Sequence, residues 1–213
     1  MTYNFFGQLT LRGYVLGEVV SALQKSIRRS DEKQAVQWAA EMDQSGFGSY
    51  LWNRLTIITS EDVGVAWPEG PAVIAALRNS YETMVAKGRR GGAERIFVIH
   101  ATMLLARAKK SRRVDVAIWS AYGHERPEFP EIPDYALDWH TARGRQMGRT
   151  DETGEGMRFW LEEASKLINE DETATEEPYM ERFLSSSDDW FQRQGGTVAK
   201  VNKPAKLFDV EDM

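Results

Sequence analysis

Apolar residues recur at helical spacing along the first 122 positions. Val20, Leu23 and Ile27 lie on one face of a first predicted helix. Ser30 and Asp31 then offer an N-cap, followed by a second stripe of Ala35, Trp38, Ala39 and Met42. Gly46 and Gly48 interrupt it. Leu51, Leu55 and Ile58 line a third helix that Gly64 and Pro68 close, and Pro71 opens a fourth with Val73, Leu77 and Met84 on one side. The stretch ERIFVIHATMLLARA is apolar nearly all round and is predicted to be a buried central helix. A last helix of this region carries Val114, Ile118 and Trp119. Residues 123–133 contain three prolines and read as extended linker. Helices over 134–147, 156–169 and 178–192 are predicted beyond it. No strand alternation, repeat or heptad array appears. The pattern predicts an all-α fold, a compact bundle of short antiparallel helices with an extended acidic C-terminal appendage. The expected organisation is an N-terminal extension at 1–16, a helical domain at 17–150, an acidic helical appendage at 151–193 and a tail at 194–213.

Composition narrows the class. The chain has 213 residues, 42% of them apolar, which suffices for a sizeable core. No apolar run approaches the roughly 18 residues that cross a bilayer, and no signal peptide opens the chain. There are no cysteines, which removes disulfides, thiolate metal sites and cysteine nucleophiles. A soluble, cytoplasmic protein without a membrane partner is expected. The net charge of −5 hides an asymmetry. Residues 78–149 hold 14 Lys/Arg against 8 Asp/Glu, and residues 150–193 hold 4 against 13. A basic middle and an acidic later segment raise the expectation of a nucleic-acid-facing surface, against the alternative of two solvated faces.

Candidate chemistry follows from these positions. Glu61 and Asp62 stand after an apolar run, as a Walker B pair would. Adjacent side chains on a helix diverge by about 100°, however, and Thr59 and Ser60 interrupt the run. No G-x-x-x-x-G-K-[ST] phosphate loop occurs in the sequence, so ATP hydrolysis by this chain alone is not expected. The acids are read as a helix end that bonds backbone amides or basic neighbours. Of three histidines, His100 is read as a core residue. Asp138 and His140 form a D-x-H pair without an H-E-x-x-H, which leaves a metal-dependent enzyme as the weakest of the alternatives. The basic stretches suit phosphate contacts better. Lys109, Lys110, Arg112 and Arg113, with Arg143, Arg145 and Arg149, are the candidate nucleic-acid-binding residues. Most of the seven tryptophans are placed in the core rather than on stacked bases.

The segments SALQKSIRRSDEKQAVQWAAEM and TSEDVGVAWP resemble the C-terminal region of the RarA/MgsA family, which includes the Werner-helicase-interacting ATPase of eukaryotes. The matching positions include Lys25, Ser26, Arg28, Asp31, Trp38, Glu61, Asp62 and Gly64. Lys110 and Ser111 resemble the family's P-K-S-N loop, and residues 131–149 match a later stretch more loosely. Gln24 replaces the usual histidine. The resemblance implies a helical domain similar to the clamp-loader collar, which makes the family's ATPase tetrameric. It implies action at replication forks and contact with single-stranded-DNA-binding protein. The family's AAA+ module normally precedes this region and has no counterpart in these residues.

Three readings follow. The first is a non-enzymatic oligomerising scaffold or accessory protein of DNA replication, recombination or repair. It would be a dimer or tetramer, with no cofactor, working with a separately encoded AAA+ ATPase or single-stranded-DNA-binding protein. The second is a stand-alone module that binds DNA through the basic face. The third is the enzyme at Asp138 and His140.

Overall fold

Helix α1 (Leu16–Arg28) buries Leu16, Val19, Val20, Leu23 and Ile27, an i, i+3, i+4 stripe that faces the rest of the bundle. The computed structural model of the protein describes residues 5–88, 92–123, 130–150 and 154–169. Before α1, the chain turns tightly at Gly13, whose φ of +80° suits glycine, and Leu9 pairs with Val15 across the turn. The buried Glu41 carboxylate holds this turn through the Arg12 backbone N–H at 3.0 Å and the Arg12 guanidinium.

Helix α1 passes into α2 (Glu32–Gln44) through Ser30, which adopts a left-handed φ of +58°. The Asp31 N–H donates to the Ser26 carbonyl at 2.9 Å, closing α1. The Asp31 side chain accepts from the Gln34 N–H at 3.0 Å, opening α2. One short segment thus ends one helix and caps the next. Helix α3 (Gly48–Ile58) buries Leu51, Trp52, Leu55 and Ile58 and continues into a π-helical turn, Thr59–Val63. Helix α4 (Gly70–Ala86) starts with Pro71 in its first turn, where a missing N–H costs nothing. Helix α5 (Arg95–Arg107) packs against α1, α2, α3 and α4 and so sits at the centre of the bundle. Helix α6 (Arg113–Tyr122) packs on the π-helical turn and on the short Gly64–Ala66 turn after it. Among the described residues the fold is all-α, with no strand beyond the Leu9–Val15 bridge.

The chain divides into two compact units, residues 1–127 and 128–213. In the second, Asp134–Ala136 forms a 3-10 turn, and two short helices follow, α7 (Ala142–Gln146) and α8 (Gly154–Phe159). Trp139 stacks on Trp160 at 5.8 Å, and the Arg149 guanidinium lies 3.6 Å from the Phe159 ring centroid.

Several expectations need correction. Helix α5 is not buried all round. Val98, Ala101, Thr102, Leu105 and Ala106 face the core, while Ile96 and His100 are exposed, so His100 is not a core histidine. On α4 the buried residues are Gly70, Ile74 and Tyr81. Leu77 packs against the core as expected, whereas Val73 is only half-buried and Met84 is exposed. The continuous helix over 134–147 is broken. Thr141 caps α7 by accepting from the Gly144 N–H at 2.9 Å, and a Cβ on Gly144 would lie 1.9 Å from the Asp138 carbonyl oxygen. The helix predicted at 156–169 ends with a π-helical turn at Trp160–Ala164. Of the tryptophans, Trp52 alone is fully buried among the described residues. Trp38, Trp67, Trp139 and Trp160 are half-buried, and Trp119 is exposed. The predicted helix at 178–192, the acidic stretch from 170 and Trp190 lie outside the described residues.

Candidate functional site

Four of the fold-signature residues, Arg28, Glu61, Asp62 and Gly64, converge at the junction of α1, the π-helical turn and the segment that leads into α6. Asp62 is fully buried. Its carboxylate accepts from the Arg28 Nε at 2.5 Å and from the Gln24 Nε2 at 2.9 Å. Arg28 also reaches Glu61 at 3.3 Å. Behind Gln24, Arg54 donates to the amide oxygen at 2.6 Å, so a relay of polar groups runs from α3 through α1 to the turn. Bonding to Asp62 holds the Arg28 pKa above its ordinary value, against the opposing effect of burial. The backbone joins the same point. The Ser111 N–H donates to the Asp62 carbonyl at 2.9 Å.

Gly64 is required here. Its φ is +51°, and a Cβ would meet the Ser111 carbonyl oxygen at 3.0 Å and Val114 at 3.2 Å. Asp31 caps α2, as described above. The remaining signature residues play smaller parts. Lys25 bonds Ser21 at 2.7 Å on the surface, the Ser26 carbonyl closes α1, and Trp38 packs edge-on against Tyr14 at 5.5 Å.

The seven candidate phosphate-binding cations divide sharply. Lys110 is half-buried, and its ammonium donates to the Ala106 carbonyl at 2.9 Å, the Ala108 carbonyl at 2.5 Å and the Ser30 hydroxyl at 3.3 Å. It thereby caps the C-terminus of α5 and ties it to the α1–α2 junction. Burial pushes its pKa down, and the Asp62 charge pulls it partly back. Arg112 is paired with Asp115. Arg149 is held by both Asp134 oxygens, at 2.9 and 2.7 Å, and by the Leu137 carbonyl at 2.9 Å. Arg145 donates to the Trp139 carbonyl at 2.7 Å. Lys109, Arg113 and Arg143 are exposed, and their side chains have no partner among the described residues. Lys109 and Arg113 belong to the first unit and Arg143 to the second.

The Asp138–His140 pair forms, but both ring nitrogens are occupied. The His140 Nδ1 faces Asp138 at 2.9 Å, and Nε2 accepts from the Trp139 indole N–H at 2.8 Å. No group of three or more His, Cys, Asp or Glu side chains that would hold a metal occurs among the described residues. An open depression of about 400 Å³ beside α5 is lined by Ala66, Trp67, Leu104, Arg107, Ala108 and Lys109, which bring no acid–base pair together.

Two buried acids on α2 escaped the sequence reading. Besides Glu41, Asp43 accepts from the Tyr81 hydroxyl at 3.0 Å and faces the Arg95 Nε at 3.3 Å. Both flank Met42 on the inward stripe, a position that should have marked them as requiring partners. For Glu41, burial pushes the carboxyl up, but bonds from the Thr10 hydroxyl and from Arg12 outweigh it and leave the pKa below the ordinary value.

The signature residues thus interlock α1, the π-helical turn and the segment before α6. Comparison with known proteins gives the family of the chain. The model of the MgsA AAA+ ATPase C-terminal region matches residues 29–194, and the chain belongs to this family. Replication-associated recombination protein A of Bacillus subtilis is 30% identical over 134 residues, 62% of this chain and 30% of that protein. The Escherichia coli K12 protein of the same name is 28% identical over 199 residues, 92% of this chain and 41% of that protein. An uncharacterized AAA domain-containing protein of Mycobacterium tuberculosis is 34% identical over 133 residues, 62% of this chain and 28% of that protein. The chain thus spans well under half the length of these relatives. No described helix is long and apolar enough to cross a membrane.

Proposed function

We propose that this chain is a non-enzymatic, self-associating accessory module of DNA replication and recombination, working with a separately encoded AAA+ ATPase. The relatives' name, replication-associated recombination protein, supports the process. The observation that carries the non-enzymatic part is the fate of the signature acids. The buried Asp62 carboxylate is bound by Arg28 and Gln24, and Glu61 pairs with the same Arg28, so the two acids serve to hold α1 to the π-helical turn. The test is to mix the purified chain with an AAA+ module of the same family that lacks this region. Co-sedimentation, with no ATP turnover by the chain alone, is expected. Turnover that survives purification of the chain alone overturns the non-enzymatic reading.

A second reading, contact with DNA, is favoured by the three unpaired cations Lys109, Arg113 and Arg143. Binding would be independent of sequence, with log K falling against log salt by roughly 0.7 to 0.9 per phosphate contact. Replacing these three with alanine should flatten the slope and leave the melting temperature unchanged. Replacing Lys110 should instead lower stability, because its ammonium caps α5. A slope untouched by the triple replacement rules out these three side chains as the phosphate contacts.

A further inference from the structure

The second unit holds a histidine between an acid and an indole. The acid is fixed first. The Asp138 carbonyl accepts from the Thr141 N–H at 3.1 Å and from the Thr141 hydroxyl at 2.9 Å, and Gly144 packs on it so closely that no Cβ fits there. The Asp138 carboxylate is only 15% exposed, and His140 supplies both of its donors, the backbone N–H at 3.0 Å and Nδ1 at 2.9 Å. The Trp139 carbonyl is held in turn by Arg145 at 2.7 Å. The backbone of this turn is therefore set, and the imidazole is aimed by it.

Hydrogen-bond chemistry then places the proton. A carboxylate only accepts, so Nδ1 carries the hydrogen and Nε2 is left bare. The bare nitrogen accepts from the Trp139 indole N–H at 2.8 Å. The same indole stacks on Trp160, with centroids 5.8 Å and planes 18° apart. That stack joins the turn to the π-helical segment Trp160–Ala164. We infer that Asp138, His140 and Trp139 form a pH-sensitive latch, closed around a neutral imidazole, that holds Trp139 on Trp160 and opens when His140 is protonated.

Protonation acts on one side of the ring. An imidazolium carries hydrogen on both nitrogens, so Nε2 stops accepting and meets the indole N–H donor to donor. Turning the ring over brings no relief, since either nitrogen is then a donor. The attraction of the imidazolium for Asp138 is made through Nδ1, whether or not the indole is in place. It keeps the ring where it is, so the indole is the group that turns. Other charged groups of the unit do not intervene. Arg145 is bound to the Trp139 carbonyl, and Arg149 to Asp134 and the Leu137 carbonyl. Arg143 of α7, Glu155 and Arg158 of α8, and Glu162 and Glu163 beside Trp160 make no bond to the ring among the described residues. The imidazole is 62% exposed, so protons reach it from solvent, and histidine titrates between about pH 5 and 8. Loss of one hydrogen bond shifts the ratio of open to closed by roughly three- to ten-fold.

The test follows the indole N–H resonances of the full chain, isotope-labelled at tryptophan, from about pH 8 to about pH 5. Trp139 and Trp160 are assigned with single Trp→Phe variants. The comparison is His140→Gln, whose amide oxygen accepts from an indole but does not titrate. In wild type, the Trp139 indole N–H should lose roughly three- to ten-fold of its protection from solvent exchange. Trp160 should shift with the same midpoint as the neighbouring ring withdraws, and both should stay flat in His140→Gln. Titration that persists in His140→Gln overturns the latch. So does a Trp160 resonance that stays fixed while Trp139 moves, because the proton is then felt without release of the stack. The His140 ring resonances of wild type need no variant, and a midpoint different from that of Trp160 overturns the latch as well.

Discussion

Arg28→Ala is the perturbation that tests the signature junction. It removes the guanidinium whose Nε lies 2.5 Å from the Asp62 carboxylate and leaves that carboxylate at 0% exposure with only the Gln24 amide as side-chain donor. Breaking a fully buried pair costs about 3–5 kcal/mol, chiefly because the remaining charge is stranded. Arg28 itself is 32% exposed, so solvent already screens part of the interaction and the expected cost falls to roughly 2–4 kcal/mol. The reverse truncation is milder. In Asp62→Ala, Arg28 can turn to water and keep Glu61, so the loss is about two charge-assisted hydrogen bonds less the rehydration of the guanidinium, roughly 1–3 kcal/mol. The double variant should be no less stable than Arg28→Ala alone, since deleting the stranded carboxylate removes its penalty. Urea unfolding followed by far-UV circular dichroism measures all four corners of the cycle. An Arg28→Ala cost below about 1 kcal/mol, or strict additivity in the double variant, refutes the claim that these residues form one buried unit.

Gly64→Ala should cost about 1–3 kcal/mol, because the left-handed φ is strained for alanine and its Cβ presses the Ser111 carbonyl; a melting temperature equal to wild type contradicts this. The Glu41 carboxyl is depressed in the folded state, so its contribution is present above the ordinary carboxylate pKa and lost as pH falls through the folded value. The stability advantage of wild type over Glu41→Gln should therefore be flat at neutral pH and shrink below about pH 4.5; an advantage that grows on acidification would show the opposite sign.

The first two helices were legible because their signals are local. Leu23 and Ile27 recur at helical spacing, and Asp31 stands at the cap. The pairing of Arg28 with Asp62 was not, since the two lie 34 positions apart and no periodicity connects them. The resemblance grouped their motifs without saying which residue bonds which. Lys110 shows the limit of a charge run, for its spacing resembles its neighbours', yet its ammonium is turned onto the carbonyls that end α5. His100 and Trp119 were misplaced for a common reason. An apolar stripe marks a surface that avoids water in the functional state, and it does not say whether the same chain covers it. On α5 the bundle covers one side only, and on α6 the described residues leave the stripe open.

The most direct test of self-association is the mass of the purified chain in solution. Multi-angle light scattering across micromolar concentrations should return a multiple of 24.3 kDa, a dimer or a tetramer, that falls toward the monomer on dilution. A mass of 24.3 kDa at every concentration would contradict the account.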